Sequence, residues 1–287
     1  MKYIFIVNRK SGITDYDKLE SNINVCMEGK DYKIIETKCP NDATKIASKY
    51  KNDKDTIVYA CGGDGTLNEV INGLACGKCK LGLIPTGSGN DFYKSLKTYK
   101  KKESTIDLGL INNRYFINIA SIGFDAEVAN YANEIKSSSR NKKTAYIKGV
   151  LKAFKNYHNR EYKIEIDNKI YNGKYTLLAI CNGRYYGGGF KIAPLASFDD
   201  DHFDTYLAKD MGRLKLIRML IKLLKGKHEK ASVVKKLKSL NLKVSSKEEM
   251  NVNIDGEMIK AKKLDIKMIP NAIHLVNDLE LVQKILL

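Results

Sequence analysis

In Ala60-Cys61-Gly62-Gly63-Asp64-Gly65-Thr66-Leu67-Asn68-Glu69, three glycines stand between an apolar run, Thr56 to Ala60, and a helical pattern, Thr66 to Ala75. Glycines in that position let the backbone approach a phosphate closely and adopt positive φ where needed. The helix behind them offers N–H groups without intrahelical acceptors and the positive end of its dipole. Asp64 is placed to hold a magnesium ion or to accept a hydrogen bond from a nucleotide. No Gly-Lys-Ser/Thr follows, so this is not a Walker A loop. A glycine turn with no ligand carries the same local signature, and the loop therefore needs support from elsewhere in the chain.

Two further loops supply it. Pro85-Thr86-Gly87-Ser88-Gly89-Asn90-Asp91-Phe92 follows the apolar run Leu81 to Pro85 and opens another helix, with Ser88 able to donate to a phosphate. Asn8-Arg9-Lys10-Ser11-Gly12 follows Tyr3 to Val7, and a fourth run covers Tyr32 to Glu36. Helical patterns at Tyr16 to Glu28 and Asp42 to Lys51 lie between these strands. Such alternation predicts an α/β N-terminal domain over residues 1–108, built on a parallel sheet covered on both faces. Ligands of such sheets bind at the carboxyl ends of the strands, where all three loops fall.

From about Asp107 the pattern changes to strand candidates at Tyr115 to Ala120, Tyr162 to Asp167, Tyr175 to Asn182, Phe203 to Ala208, Leu240 to Ser245, Met250 to Asp255 and Leu264 to Ile269. Helical stretches at 143–157 and 212–225 interrupt them. This predicts a mainly antiparallel β domain over residues 109–275. The C-terminal segment, 276–287, contains an amphipathic stretch from Asp278 and is expected to pack back on the first domain.

Composition narrows the class. Hydrophobic residues make up 43% of the 287, enough for a sizeable core. There is no apolar run of about 18 residues or more, so no transmembrane helix is expected, and the N-terminal apolar run is too short for a signal peptide. A cytoplasmic protein is the expectation. The six cysteines, Cys26, Cys39, Cys61, Cys76, Cys79 and Cys181, read as free thiols, and the lone Cys76-Gly-Lys-Cys79 lacks the partner ligands of a zinc site. The net charge is +17, and the stretches Arg140 to Lys163 and Arg213 to Lys238 together carry 16 of those charges. That concentration points either to an anionic partner or to solvated lysine-rich helix faces. No RNA- or DNA-binding motif accompanies it, and no nucleic-acid partner is expected.

The run Gly62 to Leu74, GGDGTLNEVINGL, together with Gly87-Ser88-Gly89-Asn90-Asp91, resembles the diacylglycerol kinase catalytic-domain family, which includes bacterial lipid kinases and is related to sphingoid kinases. Asp107-Leu108-Gly109, Gly187 to Gly189 with Ala193 to Ala196, and Asn253-Ile254-Asp255-Gly256-Glu257 match in the same order, so the resemblance spans nearly the whole chain. It implies a first domain of the NAD-kinase/phosphofructokinase type, with ATP in the interdomain cleft. By motif position, Asn8, Arg9, Lys10, Ser11, Gly12, Thr37, Gly62, Gly63, Asp64, Gly65, Thr66, Leu67, Asn68, Glu69 and Ser88 would contact the nucleotide. Asp255 and Glu257 would lie by the transferred phosphoryl group, Glu257 as general base. Asp64, Asp91 and Asp107 would form an acidic network holding Mg2+ through water. A structural Mg2+ would sit at Asp200 beside backbone carbonyls of Ser197 and His202. Here Asp201 replaces the glycine usual in the family and must tolerate the left-handed region. Arg9 stands where proline is usual.

The implied activity is transfer of the γ-phosphoryl group of ATP to a lipid hydroxyl, most simply that of diacylglycerol. The donors are close to what phosphoryl transfer requires, which is positioning and charge neutralisation. A soluble-substrate kinase shares the GGDG loop, but lacks the Asn68-Glu69 continuation and the GSGND run. A nucleotide-binding regulator would have lost a catalytic carboxylate, and Asp64, Asp107, Asp255 and Glu257 are all present. Asp255-Gly256 also suits an ordinary hairpin turn. The helical stretch Gly212 to Lys225 is basic and amphipathic: it can lie on an anionic membrane, where a lipid substrate resides, or pack its apolar side on the core. Peripheral membrane association and a homodimer complete the expectations.

Overall fold

A computed structural model describes residues 1–10, 12, 15–136, 142–156, 160–224 and 227–287. The predicted site residue Ser11, and parts of the basic stretches at 140–141, 157–159 and 225–226, lie outside the described residues.

The first part of the chain alternates β1 (Lys2–Val7), α1 (Tyr16–Cys26), β2 (Asp31–Glu36), α2 (Asp42–Ser48), β3 (Thr56–Gly62), α3 (Asp64–Leu74), β4 (Lys80–Pro85) and α4 (Asp91–Leu96). β1 pairs in parallel with both β2 and β3, and β3 pairs in parallel with β4. β3 is buried along its whole length, which is why it reads as an uninterrupted apolar run rather than an alternating one. Asp15 caps α1 by accepting from the backbone N–H groups of Asp17 and Lys18.

The remainder comprises β5 (Glu103–Ile111), β6 (Arg114–Phe116), β7 (Ile119–Gly123), α5 (Phe124–Lys136), α6 (Lys142–Asn156), β8 (Arg160–Ile166), β9 (Lys169–Cys181), β10 (Tyr185–Tyr186), β11 (Phe190–Lys191), β12 (Phe203–Lys209), α7 (Arg213–Leu224), β13 (Val234–Ser239), β14 (Asn241–Ile254), β15 (Glu257–Val276) and α8 (Leu279–Leu286). Pairings among β5 to β9 and β12 to β15 are antiparallel, and β10 and β11 form a separate hairpin.

Three differences from the sequence expectation have physical causes. First, the run Tyr115 to Ala120 is split into β6 and β7, because the Asp255 carboxylate takes the N–H groups of Ile117, Asn118 and Ile119 out of the ladder. Second, the two runs at 240–245 and 250–255 are one strand, β14, that absorbs a register shift between Ser245 and Met250. Third, β15 extends through Pro270-Asn271, which reads as a turn; the register with β5 shifts there, and Asn271 adopts φ 50°. β15 then runs parallel to β4, with His274 opposite Lys80 and Leu275 opposite Leu81. Among the described residues thirteen strands therefore form one sheet, continuous through β15, and the two halves of the chain share that strand. α8 lies on α1, burying Val282 and Ile285 against Leu19, Ile23 and Met27. Lys18 and Asn22 donate to the carbonyls of Leu287 and Ile285.

Candidate active site

The three glycine loops meet at the carboxyl ends of β1, β3 and β4. Thr86 and Gly87 both donate backbone N–H bonds to the Gly62 carbonyl, at 3.1 and 3.2 Å. The approach is so close that a Cβ on Gly87 would lie 2.3 Å from the Cα of Gly63, and one on Gly12 would lie 1.8 Å from the Thr86 carbonyl oxygen. Gly12 also has φ +93°, so both contact and conformation require glycine there. Gly63 occupies the N-cap of α3 without any side-chain cap bond. The first-turn N–H groups of α3 are thus offered to a ligand at the positive end of the helix dipole.

Side chains tie this cradle together. Asn8 donates to the Thr66 hydroxyl at 3.1 Å. Asp64 accepts the backbone N–H of Asp91 at 2.7 Å, which joins the first turn of α3 to that of α4. Burial, then the neighbouring Asp91 and Asp255, push the Asp64 carboxyl up to about 6. Asp91 itself accepts from Lys94 Nζ and from the backbone N–H of Gly188, both at 2.9 Å. Asp64 and Asp91 are hard oxygen donors of the kind a divalent cation takes, and an ion on Asp91 would have to displace the Lys94 ammonium.

The turn between β14 and β15 reaches the same place. The Asp255 carboxylate accepts four N–H groups: backbone Ile117, Asn118 and Ile119, and the side chain of Asn68 at 3.0 Å. Burial raises its pKa, and those donors oppose the rise. Asp255 therefore anchors the second half of the chain to α3. Two residues on, Glu257 Oε1 lies 3.8 Å from where a Cβ on Gly65 would be. Glu257 is half-buried and ion-paired with Arg114, whose guanidinium also donates to Asn68 Oδ1 at 2.8 Å. Arg114 was not singled out from the sequence. It is a lone cation at the start of β6, and only the fold carries it to residues 46 and 143 positions away.

Other predicted site residues stand differently. Thr37 follows β2, its N–H on the Val7 carbonyl at 2.9 Å. Ser88 is exposed on its loop, as is Lys10, whose backbone N–H bonds Asn8 Oδ1. Arg9 turns its guanidinium onto Asp17, Glu20 and Glu36, at 3.0–3.3 Å, and so ties its loop to α1 and β2. Leu67 faces the core. Glu69 caps α2: its carboxylate accepts the N–H groups of Asn41 and Ala43. Asp107 joins Asp201 and Asn271, accepting their backbone N–H groups at 2.9 Å each, and burial raises its pKa. Its carboxylate thus bonds the 199–201 loop and not Asp64 or Asp91, and a polar cleft of about 360 Å3 beside it is lined by none of the glycine-loop residues.

Around the predicted structural ion, Asp201 adopts φ 60°, the left-handed conformation that its position demanded. Asp200, however, pairs with Lys238 Nζ at 2.6 Å, its other carboxylate oxygen accepts the His202 N–H, and the His202 ring bonds the Asp200 carbonyl. The Ser197 hydroxyl donates to Asp199. An ammonium group therefore already pairs with the carboxylate assigned to the ion. A divalent ion at Asp200 would have to displace that ammonium. The six cysteines are free, as expected.

Residues 2–119 match the diacylglycerol kinase catalytic domain, and residues 118–277 match the YegS C-terminal NAD kinase beta sandwich-like domain. The chain is 32% identical over 235 residues to a diacylglycerol kinase of Bacillus subtilis (strain 168), covering 77% of each, and 31% identical over 268 residues to one of Staphylococcus haemolyticus (strain JCSC1435), covering 88% of this chain and 81% of that. Its fold superposes on a crystal structure of a diacylglycerol kinase from Bacillus anthracis str. Sterne with a TM-score of 0.74, at 22% identity and over 96% and 97% of the two chains. The chain belongs to the diacylglycerol kinase catalytic-domain family. It is accordingly a kinase, and as such draws its phosphoryl group from ATP.

Proposed function

We propose that this kinase transfers the γ-phosphoryl group of ATP to a lipid hydroxyl, and that diacylglycerol is the acceptor, giving phosphatidic acid. The observation that carries the proposal is the convergence of Glu257, held by Arg114, on the first turn of α3, beside the glycine loops. In this reading the loops at Gly12, Gly62 to Gly65 and Gly87 to Gly89 hold the phosphates, with Asn8 and Thr66 bracing them. Asp64 and Asp91 would hold Mg2+, which when bound would neutralise phosphate charge. Glu257 takes the proton from the acceptor hydroxyl as the new O–P bond forms and the bond to the β-phosphate oxygen breaks, releasing ADP. Arg114 keeps Glu257 oriented, and Asp255 fixes the turn on which it sits.

The relatives' names support diacylglycerol. The test is ADP release in mixed micelles containing diacylglycerol, phosphatidylglycerol, an undecaprenol-type alcohol or a sphingoid base, with wild type beside Glu257→Ala. Turnover is expected with diacylglycerol, and the variant should lose at least about a hundredfold, as removal of a general base does. Equal turnover by the variant would overturn the assignment of Glu257. Turnover of NAD but of no lipid would overturn the acceptor class.

A further inference from the structure

α7 is apolar on two opposite faces. Leu216, Met219, Leu220 and Leu223 turn inward, onto clusters that include Phe124, Ala153, Met211, Ile192 and Tyr206. Leu214, Ile217 and Ile221 recur at i, i+3 and i+7 on the opposite side, and they are 75%, 42% and 47% exposed. Three large aliphatic side chains aligned on one solvent-facing stripe exceed the scattered exposure ordinary at a surface. Beside that stripe Lys215, Arg218 and Lys222 repeat the same i, i+3, i+7 spacing, and all three are exposed. α7 contains no acidic residue, and among the described residues these three cations make no ion pair.

The inner face explains why the helix is seated where it is, and among the described residues the outer stripe joins none of the core clusters. Charge decides what covers it. A second copy docked antiparallel across this helix about a two-fold axis would bring its three cations beside these three, and a parallel copy would leave both rows unpaired. A surface of anionic lipid headgroups over hydrocarbon complements both rows at once. The hairpin β10–β11 connects α7 to the phosphate site: β11 packs on α7 and β10 on α4, while Gly188 between them donates its N–H to Asp91. At its other end α7 is tied to α6, where Arg213 donates to the Lys155 carbonyl.

We propose that the outer face of α7 is the membrane-docking surface, inserting Leu214, Ile217 and Ile221 among the acyl chains of an anionic bilayer while Lys215, Arg218 and Lys222 bind its headgroups. The proposal rests on the acceptor's being a lipid, but its test does not require turnover. Vesicles of phosphatidylcholine mixed with phosphatidylglycerol, and of phosphatidylcholine alone, are sedimented with the full-length protein without ATP. Wild type should partition onto the mixed vesicles only, and salt should release it. The triple variant Leu214→Ser, Ile217→Ser, Ile221→Ser should bind at least about tenfold more weakly, and Lys215→Gln, Arg218→Gln, Lys222→Gln roughly a hundredfold more weakly. Both should keep turnover of a short-chain, micelle-free diacylglycerol, the serine variant with only a slightly lowered melting temperature, since Ile217 and Ile221 are partly covered but none of the three aliphatic side chains joins a core cluster. Undiminished vesicle binding by either variant would overturn the proposal, as would a wild-type dimer that the serine variant dissociates. No turnover of any lipid alongside the expected vesicle binding would instead count against the acceptor reading alone.

Discussion

Substituting alanine for Gly87 tests the cradle without removing any functional group. The new Cβ would stand 2.3 Å from the Cα of Gly63, 2.8 Å from Asn90 Oδ1 and 2.9 Å from the Gly63 nitrogen. Non-bonded carbons sit about 3.5–4.0 Å apart, so the two loops must separate by more than about 1 Å. Neither neighbour can yield cheaply, because Gly63 is backbone at the N-cap of α3 and Gly87 is held to the Gly62 carbonyl. Overpacking of this kind costs about 1–3 kcal/mol of stability. The larger effect falls on function: a misplacement of about 1 Å in a positioning site costs around a hundredfold in rate. Gly87→Ala should therefore show kcat/KM for ATP down about a hundredfold in a coupled ADP-release assay, with weaker ADP binding by calorimetry and a melting temperature only modestly lowered. Gly29→Ala is the control. Gly29 has φ +74° but nothing within 4 Å of a new Cβ, so strain there costs about 1–2 kcal/mol and leaves turnover intact. Wild-type nucleotide affinity and turnover in Gly87→Ala, or an equal loss in Gly29→Ala, would refute the reasoning.

Two more perturbations probe charge. Asp64 has its folded pKa raised from 3.8 to about 6, so folding favours its protonated form: that stabilisation is complete below about pH 4 and is lost as pH rises through about 6. Asp64→Asn keeps the acceptor oxygen for the Asp91 N–H and should abolish turnover. It should also melt higher than wild type at pH 7.5, by up to about 3 kcal/mol of stability, with the gap closing towards pH 4; a variant less stable than wild type at pH 7.5 would refute this. Lys238 is the cation beside Asp200 and lies 3.7 Å from the buried Asp204, which Lys236 also approaches. Lys238→Met should cost about 1–3 kcal/mol, less than full loss of a buried partner because Lys236 remains, whereas EDTA should leave the wild-type melting temperature unchanged; a fall on adding EDTA would show that a metal ion holds this loop.

What could be read from the sequence was what short-range chemistry dictates. The strand–glycine–helix order of the three loops, the buried run of β3 and the amphipathic α8 all follow from periodicity and turn residues over a few neighbours, whereas the left-handed Asp201 was implied by the family resemblance. The strand β5 shows no alternation in the sequence because Ile106 to Gly109 is buried without interruption. β15 was cut short because Pro270-Asn271 has the local look of a turn although the strand passes through it. The site itself depended on contacts between distant segments. Asn68 and Asp255 are 187 residues apart, and Arg114 and Glu257 are 143 apart. Nothing in the neighbourhood of Glu69 says that it caps α2, or in that of Asp107 that its carboxylate turns to Asp201 and Asn271. Equally, the spacing of α7 showed that the helix is amphipathic, but only packing on Phe124 and Met211 revealed which aliphatic side chains the core takes and which remain outside. A carboxylate's role depends on which donors and charges fold around it, and those lie far along the chain: residue types marked the candidates, and tertiary contacts divided them among cradle, cap, anchor and base.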